Sequence, residues 1–223
     1  WATAKTGLSQ MIVLSTSEGI SDLATATLRS LPACEVIATD NQSVISLPTS
    51  LASSVFSDFQ STLSTFGIKA STGPVVAFRA SKYLTEDGNK RTVPLLWMQH
   101  VTHMRISWPI RKKREHIASN ADTAWMLVPN VNMVVMRRFS PKEDIRRITA
   151  APYLEGSIPG DVLGLENHTN YLYRPGGALN KNETKGLAAF LNSRIVDNYL
   201  RTVAGNTQVN ATDLRTMPFP RTE

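Results

Sequence analysis

The sequence predicts an α+β fold, and three observations carry that expectation. Strand-like runs and helical periodicities alternate without the strand–helix–strand rhythm of a parallel sheet. Strand candidates at 93–98, 131–138, 148–153 and 170–173 are rich in Val, Ile, Met and Tyr, with turn residues between them. One long helix then closes the pattern, with Leu187, Phe190, Leu191, Ile195, Val196, Tyr199, Leu200 and Val203 on one apolar stripe.

Along the chain, Cys34-Glu-Val-Ile-Ala-Thr and Ser43-Val-Ile-Ser-Leu flank Asp40-Asn41 and read as a hairpin. Leu51, Val55, Phe59 and Leu63 recur every four residues, which predicts a helix stopped at Gly67. Ser71-Thr-Gly-Pro74 is a turn cluster ahead of the apolar run Val75-Val-Ala-Phe78, a further strand candidate. The long helix is expected over 183–204, with Asn182 to cap its start and Gly205 after its end. Thr212-Asp-Leu214 predicts one more short helical turn, closed by Pro218. The expected organisation is a small α+β subdomain or connector at 1–70 and a larger unit at 71–223. The larger unit would hold a mixed or antiparallel sheet and the long C-terminal helix.

The 223 residues carry 24 Lys+Arg against 18 Asp+Glu, a net charge of +6. Residues 1–104 are neutral, with seven of each sign, and so are residues 148–223. The whole excess lies in 105–147, where ten Lys+Arg (Arg105, Arg111, Lys112, Lys113, Arg114, Arg137, Arg138, Lys142, Arg146, Arg147) meet four acids. Charge concentrated this way draws in a polyanion, which makes nucleic acid the first partner to consider. A solvated loop, or a face for an acidic protein, is the competing account. These ten cations are expected to form one exposed shelf.

The single cysteine excludes an internal disulfide framework and points to a reducing, cytoplasmic setting. No apolar run reaches the ~18 residues of a membrane span. The chain starts at Trp1 without an initiator Met, which leaves open a fragment of a longer chain. No Gly-x-Gly-x-x-Gly, no phosphate loop and no Gly-x-Ser-x-Gly elbow occurs. His100 and His103 with Cys34 have metal-ligating side chains, but the spacing is common by chance. Glu166 and His168 are an acid–base pair without a nucleophile nearby. Neither carries chemistry, so no catalytic and no metal residue is assigned.

Three stretches together resemble a known family. They are Ser71-Thr-Gly-Pro-Val-Val-Ala-Phe-Arg79 with Val93-Pro-Leu-Leu-Trp97; Leu127-Val-Pro-Asn130 through Arg146-Arg-Ile-Thr-Ala-Ala151 and Glu166-Asn-His-Thr-Asn170; and Gly186-Leu-Ala-Ala-Phe-Leu-Asn-Ser193 with Gly205-Asn-Thr-Gln-Val-Asn-Ala-Thr-Asp-Leu-Arg215 and Pro218-Phe-Pro220. Over roughly 66–221 they resemble the C-terminal part of N6-adenine-specific DNA methyltransferases of type II restriction-modification systems. Similar endings occur in the recognition domains of specificity subunits of multi-subunit restriction enzymes, which is the alternative reading. The resemblance implies that 71–223 is a DNA target recognition domain and that double-stranded DNA and an upstream catalytic methyltransferase domain are its partners. It implies S-adenosylmethionine in the parent enzyme, and no cofactor in this fragment. The family's Asn-Pro-Pro-Tyr loop is absent, so no catalytic residue carries over.

Holding a duplex is a phosphate task, and Arg111, Lys112, Lys113 and Arg114 are the first candidates. Reading it is a base-edge task, for which Gln99, His100, His103 and Arg105 on the segment leading to the basic run are suited. Arg79, Lys82, Asn170 and Tyr173 are second choices. Arg137 and Arg138 must point to opposite faces of their strand, so one is expected to pair internally, with Glu143 or Asp144. Trp97, Trp108 and Trp125 are expected chiefly in the core, with base stacking as the other use. The polar segment 206–212 is read either as backbone capping or as contact.

Overall fold

The computed structural model describes residues 10–16, 20–38, 44–45, 56, 58–111, 114–140, 144, 146–203 and 208–221. They form an α+β protein, as the sequence pattern predicts, with fifteen short strands and few helices among them, the first being the single turn α1 (Ala33–Val36).

Two sheets dominate. One has four antiparallel strands, β5 (Lys69–Thr72), β15 (Thr169–Tyr173), β12 (Met133–Arg137) and β13 (Ala150–Tyr153), paired in that order. The other has five, in the order β11 (Leu127–Pro129), β14 (Val162–Leu165), β7 (Thr92–Leu96), β10 (His116–Ala118) and β6 (Leu84–Thr85). Only the β14–β7 pair is parallel.

The period-two alternation of strands explains the layering. On β12, Val134 and Met136 enter one core while Met133 and Val135 enter another. The second core lies between the two sheets, since Leu96, Val128, Leu163 and Leu165 meet Val135, Ala151, Tyr153 and Tyr171 there. The first core lies on the outer face of the four-stranded sheet, under helices α2 (Lys181–Leu191), α3 (Arg194–Val203) and α4 (Ala211–Thr216). A third core covers the far face of the five-stranded sheet, where Leu95 and Ile117 meet Val75, Ala80, Leu84 and Met126. Gly164 is needed at that face. A side chain there would begin 2.8 Å from Leu95 Cδ1 and 3.1 Å from Ile117 Cγ2.

The helix expected over 183–204 is two helices. Asn180, not Asn182, caps the first, taking the Asn182 and Glu183 amides at 2.9 Å each. Asn192 ends it. This buried side chain accepts from the Ala150 amide (3.1 Å) and donates to the Ala150 and Ala188 carbonyls (2.8 and 2.7 Å). The apolar stripe runs across the break because both helices face the same core.

Other expectations divide. Leu63–Phe66 is a single 3-10 turn stopped by left-handed Gly67, as placed, but 58–60 is not helical, and 51–55 and 57 lie outside the described residues. The 34–47 hairpin is present as β3 (Ile37–Ala38) with β4 (Val44–Ile45). The run 75–78 is not a strand: Val75 makes one bridge to Glu166, and 77–79 form a turn. The short turn at 212–214 is α4. Missed entirely was the hairpin β1 (Met11–Thr16) with β2 (Thr27–Pro32).

Candidate nucleic-acid interface

The segment 97–118 leaves the five-stranded sheet at β7, turns twice and returns as β10. A buried acid–base pair holds it. The Trp97 amide donates to His100 Nδ1 (2.8 Å), so that nitrogen is bare and the ring proton sits on Nε2. Nε2–H then donates to Glu115 Oε1 at 3.0 Å, and the Ile110 amide donates to the same oxygen at 2.9 Å. His100 and Glu115 are both buried. Burial pushes the His100 pKa down, against the pull of Glu115. Burial pushes Glu115 up, but the His100 ring and the Ile110 and Arg111 amides together outweigh it and leave its pKa below the usual carboxylate range. The result is a neutral imidazole on an anionic carboxylate, clamping the base of the loop that carries the basic run.

Around that loop three segments meet. Trp97 Nε1 donates to the Arg114 carbonyl (2.8 Å), and an Arg114 guanidinium nitrogen donates to the Ser81 carbonyl (2.9 Å). Tyr83 in turn donates its hydroxyl to Asp122 (3.0 Å), tying 76–83 to the turn at 120–126. Arg79, Lys82, Arg111 and Arg114 are all exposed on these linked segments. The Lys82 ammonium sits 4.7 Å from the Tyr83 ring centroid, and its pKa is raised, first by a hydrogen bond with Tyr83. Arg111 holds a left-handed backbone, φ 54°. It shares a hollow of about 790 Å³ with Glu86, Asp87, Trp108 and His116, so acids also border this patch. Lys112 and Lys113 lie outside the described residues.

A second group lies on the hairpin β8 (Val101–Thr102) with β9 (Arg105–Ile106). His103 and Arg105 are exposed there, and exposed Gln99 is in the turn just before it. Arg146 donates to His103 Nε2 (3.3 Å) and to the Asn192 carbonyl. Arg146 is one of the ten cations counted in the sequence, but its place beside His103 comes from a contact 43 positions away.

Among the described residues, three further cations do not join one exposed shelf. Arg147 is 3% exposed, with a nitrogen 3.4 Å from the Ser140 carbonyl. Arg137 is half-buried and donates to the Val101 carbonyl (2.7 Å). Arg138 donates to the Asn167 carbonyl (3.3 Å) and Asn210 Oδ1 (3.4 Å). These bonds are to carbonyl and amide oxygens, where carboxylates at 143 or 144 were expected. Lys142 and Glu143 lie outside the described residues.

Two base-edge candidates are spent inside the protein. His100 is 0% exposed in the clamp, and Asn170 is 0% exposed, donating to the Val209 carbonyl (2.6 Å) and accepting from Thr72 (2.9 Å). Neither side chain reaches the surface. Tyr173 is half-buried, stacked on Tyr171 with ring centroids 5.1 Å apart. Asp213 accepts the Asn210 amide (2.7 Å) at the start of α4, and the Val209 amide donates to the Arg138 carbonyl (2.9 Å), so the described part of 206–212 is engaged in bonds within the protein. His168 donates its own amide to buried Glu166 (3.0 Å) and holds the same carboxylate through Nδ1 (2.6 Å). Trp97 is core and Trp108 packs against the second core, but Trp125 is exposed.

No protein-family model matches the chain. Over 163 residues, 72% of the chain, it is 41% identical to the type II methyltransferase M.PstI of Providencia stuartii. Over 159 residues, 71% of the chain, it is 43% identical to the type II methyltransferase M.BsuBI of Bacillus subtilis. Each match covers 32% of the relative, so the chain spans about a third of the length of these curated proteins. Over that third, the chain is similar in sequence to type II methyltransferases.

Proposed function

We propose that this chain is the part of a type II DNA methyltransferase that recognises double-stranded DNA. The carrying observation is the group Arg79, Lys82, Arg111 and Arg114, drawn onto linked segments by the Arg114–Ser81 and Tyr83–Asp122 bonds. The similarity to type II methyltransferases favours this reading over an acidic protein partner. The recognition unit takes in 61–70 as well as 71–223, since β5 is an edge strand of its sheet and the Phe219 amide bonds to the Ser61 carbonyl; the residues before it connect to the rest of the parent, which works in the cytoplasm.

The parent reaction moves a methyl group from S-adenosylmethionine to adenine N6. Adenine must leave the stack to be reached, at a cost of a few kcal/mol. We assign no cofactor-binding residue to this chain; among the described residues, the space beside Gly73, Gly88 and Gly164 is filled by the protein's own atoms. The chain's share of the work is to hold and read the duplex: the four cations on phosphates, and Gln99, His103 and Arg105 on base edges. His100 and Asn170 belong to the scaffold of that surface.

Binding of a mixed-sequence 30-base-pair duplex, measured across salt, tests this. Four neutralised phosphates give a slope of log K against log salt near −3.6. Arg114→Ala should bring the slope about 0.9 closer to zero. Absence of binding at low salt, or binding indifferent to salt, would overturn the proposal.

A further inference from the structure

Two large aromatic side chains are exposed on the turns that the Tyr83–Asp122 bond links. Phe78 is 76% exposed and Trp125 is 72% exposed. Single exposed apolar residues are ordinary on protein surfaces. These two differ in their support and in their company.

Both are carried on braced turns. The Arg79 and Ala80 amides bond to the Val76 carbonyl (3.0 and 2.9 Å), fixing the turn that presents Phe78. The Met126 amide bonds to the Thr123 carbonyl (2.8 Å), and Thr123 Oγ1 bonds to the Ala118 carbonyl (2.7 Å), fixing the turn that presents Trp125. Ala77 and Met126, the neighbours of the two aromatics, pack into the same third core, and Tyr83–Asp122 joins the two turns. Arg79 lies 5.4 Å from the Phe78 ring centroid, and Lys82 and Arg114 are on the same linked segments.

Phosphates need cations but have no use for rings; the faces of bases do. In an intact duplex those faces are covered by their neighbours, so a stacking side chain finds a partner only where a step has opened. Resting on the recognition role proposed above, we infer that Phe78 and Trp125 stack on bases exposed at an opened step, while Arg79, Lys82, Arg111 and Arg114 grip the flanking phosphates. Such a surface stabilises the duplex in the distorted form that extrusion of an adenine requires.

The test compares the 223-residue chain on two probes, a fully paired 30-base-pair duplex and the same duplex with a three-nucleotide bulge. The wild type should prefer the bulge by about tenfold, a factor within the usual stacking range. Phe78→Ala and Trp125→Ala should lose that preference and keep the salt slope. Phe78→Leu, which stays apolar but has no ring, should lose it too. Arg114→Ala should weaken both probes equally. Thermal melts should leave the aromatic variants at the wild-type midpoint, because both side chains are exposed. If the wild type binds both probes alike, or the variants keep the preference, the stacking role is overturned while DNA recognition stands; a face built for a protein partner gives that result. If the wild type binds neither probe, the recognition role falls as well.

Discussion

His100 is the residue on which the basic loop hangs, and its chemistry makes an acid-sensitive clamp. In the folded chain Nδ1 already accepts the Trp97 amide, so a second ring proton would break that bond. Burial, which disfavours the charged ring, holds the folded pKa below the ordinary 6.5, and, against burial, the His100 ring and the Ile110 and Arg111 amides hold Glu115 below 4.5. Both signs agree: the unfolded chain takes up protons first, so this stability is present above 6.5 and is lost as pH falls through the folded values. Urea unfolding should show a decline that begins below pH 6.5 and steepens below 4.5. His100→Leu should flatten the upper part of that decline. It should also cost roughly 3 kcal/mol at neutral pH, since a buried carboxylate and the Trp97 amide both lose a partner. Arg111 separates charge from fold in the opposite way. At φ 54° an arginine pays a steric penalty that glycine does not. Arg111→Gly should leave the urea midpoint unchanged or raise stability by up to about 1 kcal/mol, yet weaken duplex binding and reduce its salt dependence. The charge of Arg111 is legible in the sequence, but its left-handed backbone and the clamp at His100 are not. His100 looked like a base reader because a polar residue near a basic run is indistinguishable from one folded beneath it until Glu115, fifteen positions on, is placed against it.

At the scale of elements, the break at Asn192 decides how the C-terminal helices meet the sheet. Its side chain satisfies both backbone groups of Ala150 on β13 while ending α2. Asn192→Ala should destabilise the protein by roughly 3 kcal/mol, because buried donors and acceptors lose their partner, and differential exchange at the Ala150 amide should report it locally. The apolar stripe was readable across 183–204 because one core receives both helices, but periodicity has no mark for a side chain that replaces the next backbone bond. Strands β12, β13 and β15 were legible for a related reason. Their β-branched and aromatic residues face cores on two sides, which leaves uninterrupted apolar runs. The short β10 was not: three residues between His116 and Ala118 hold too little pattern, and the strand exists because β6 and β7 flank it. The hairpin of β1 and β2 sits at the other extreme. Register places Met11, Val13 and Leu28 on one face, and all three are exposed. A lone two-stranded ribbon is marginal in water. Its amides should exchange fastest among the described strands, by hydrogen–deuterium exchange of the isolated chain.

On the scale of the molecule, the charge arithmetic counts cations along the chain, whereas the exposed group takes Arg79 and Lys82 from outside 105–147. Chain position cannot say which cations face out. Arg147 follows Arg146 directly, yet one is buried and the other exposed, because Arg147 lies between Ser140 and a core residue, Ile148. The class of fold was legible because it depends only on the order of patterns, whereas the exposed patch depends on which turns cross the face of a sheet. Its aromatic members were hidden for that reason: Phe78 ends an apolar run that reads as strand, and only the turn at 77–79 puts it outside. The two ends of this unit meet. The Phe219 amide bonds to the Ser61 carbonyl at 2.7 Å, and Arg221 reaches Gln60, so a segment of some 160 positions begins and finishes at a single spot. A body with entrance and exit side by side can be lifted from one polypeptide and spliced into another through one small seam, leaving the host's path almost unaltered. Enzymes that keep their chemistry while trading one target for another would profit from such a cassette.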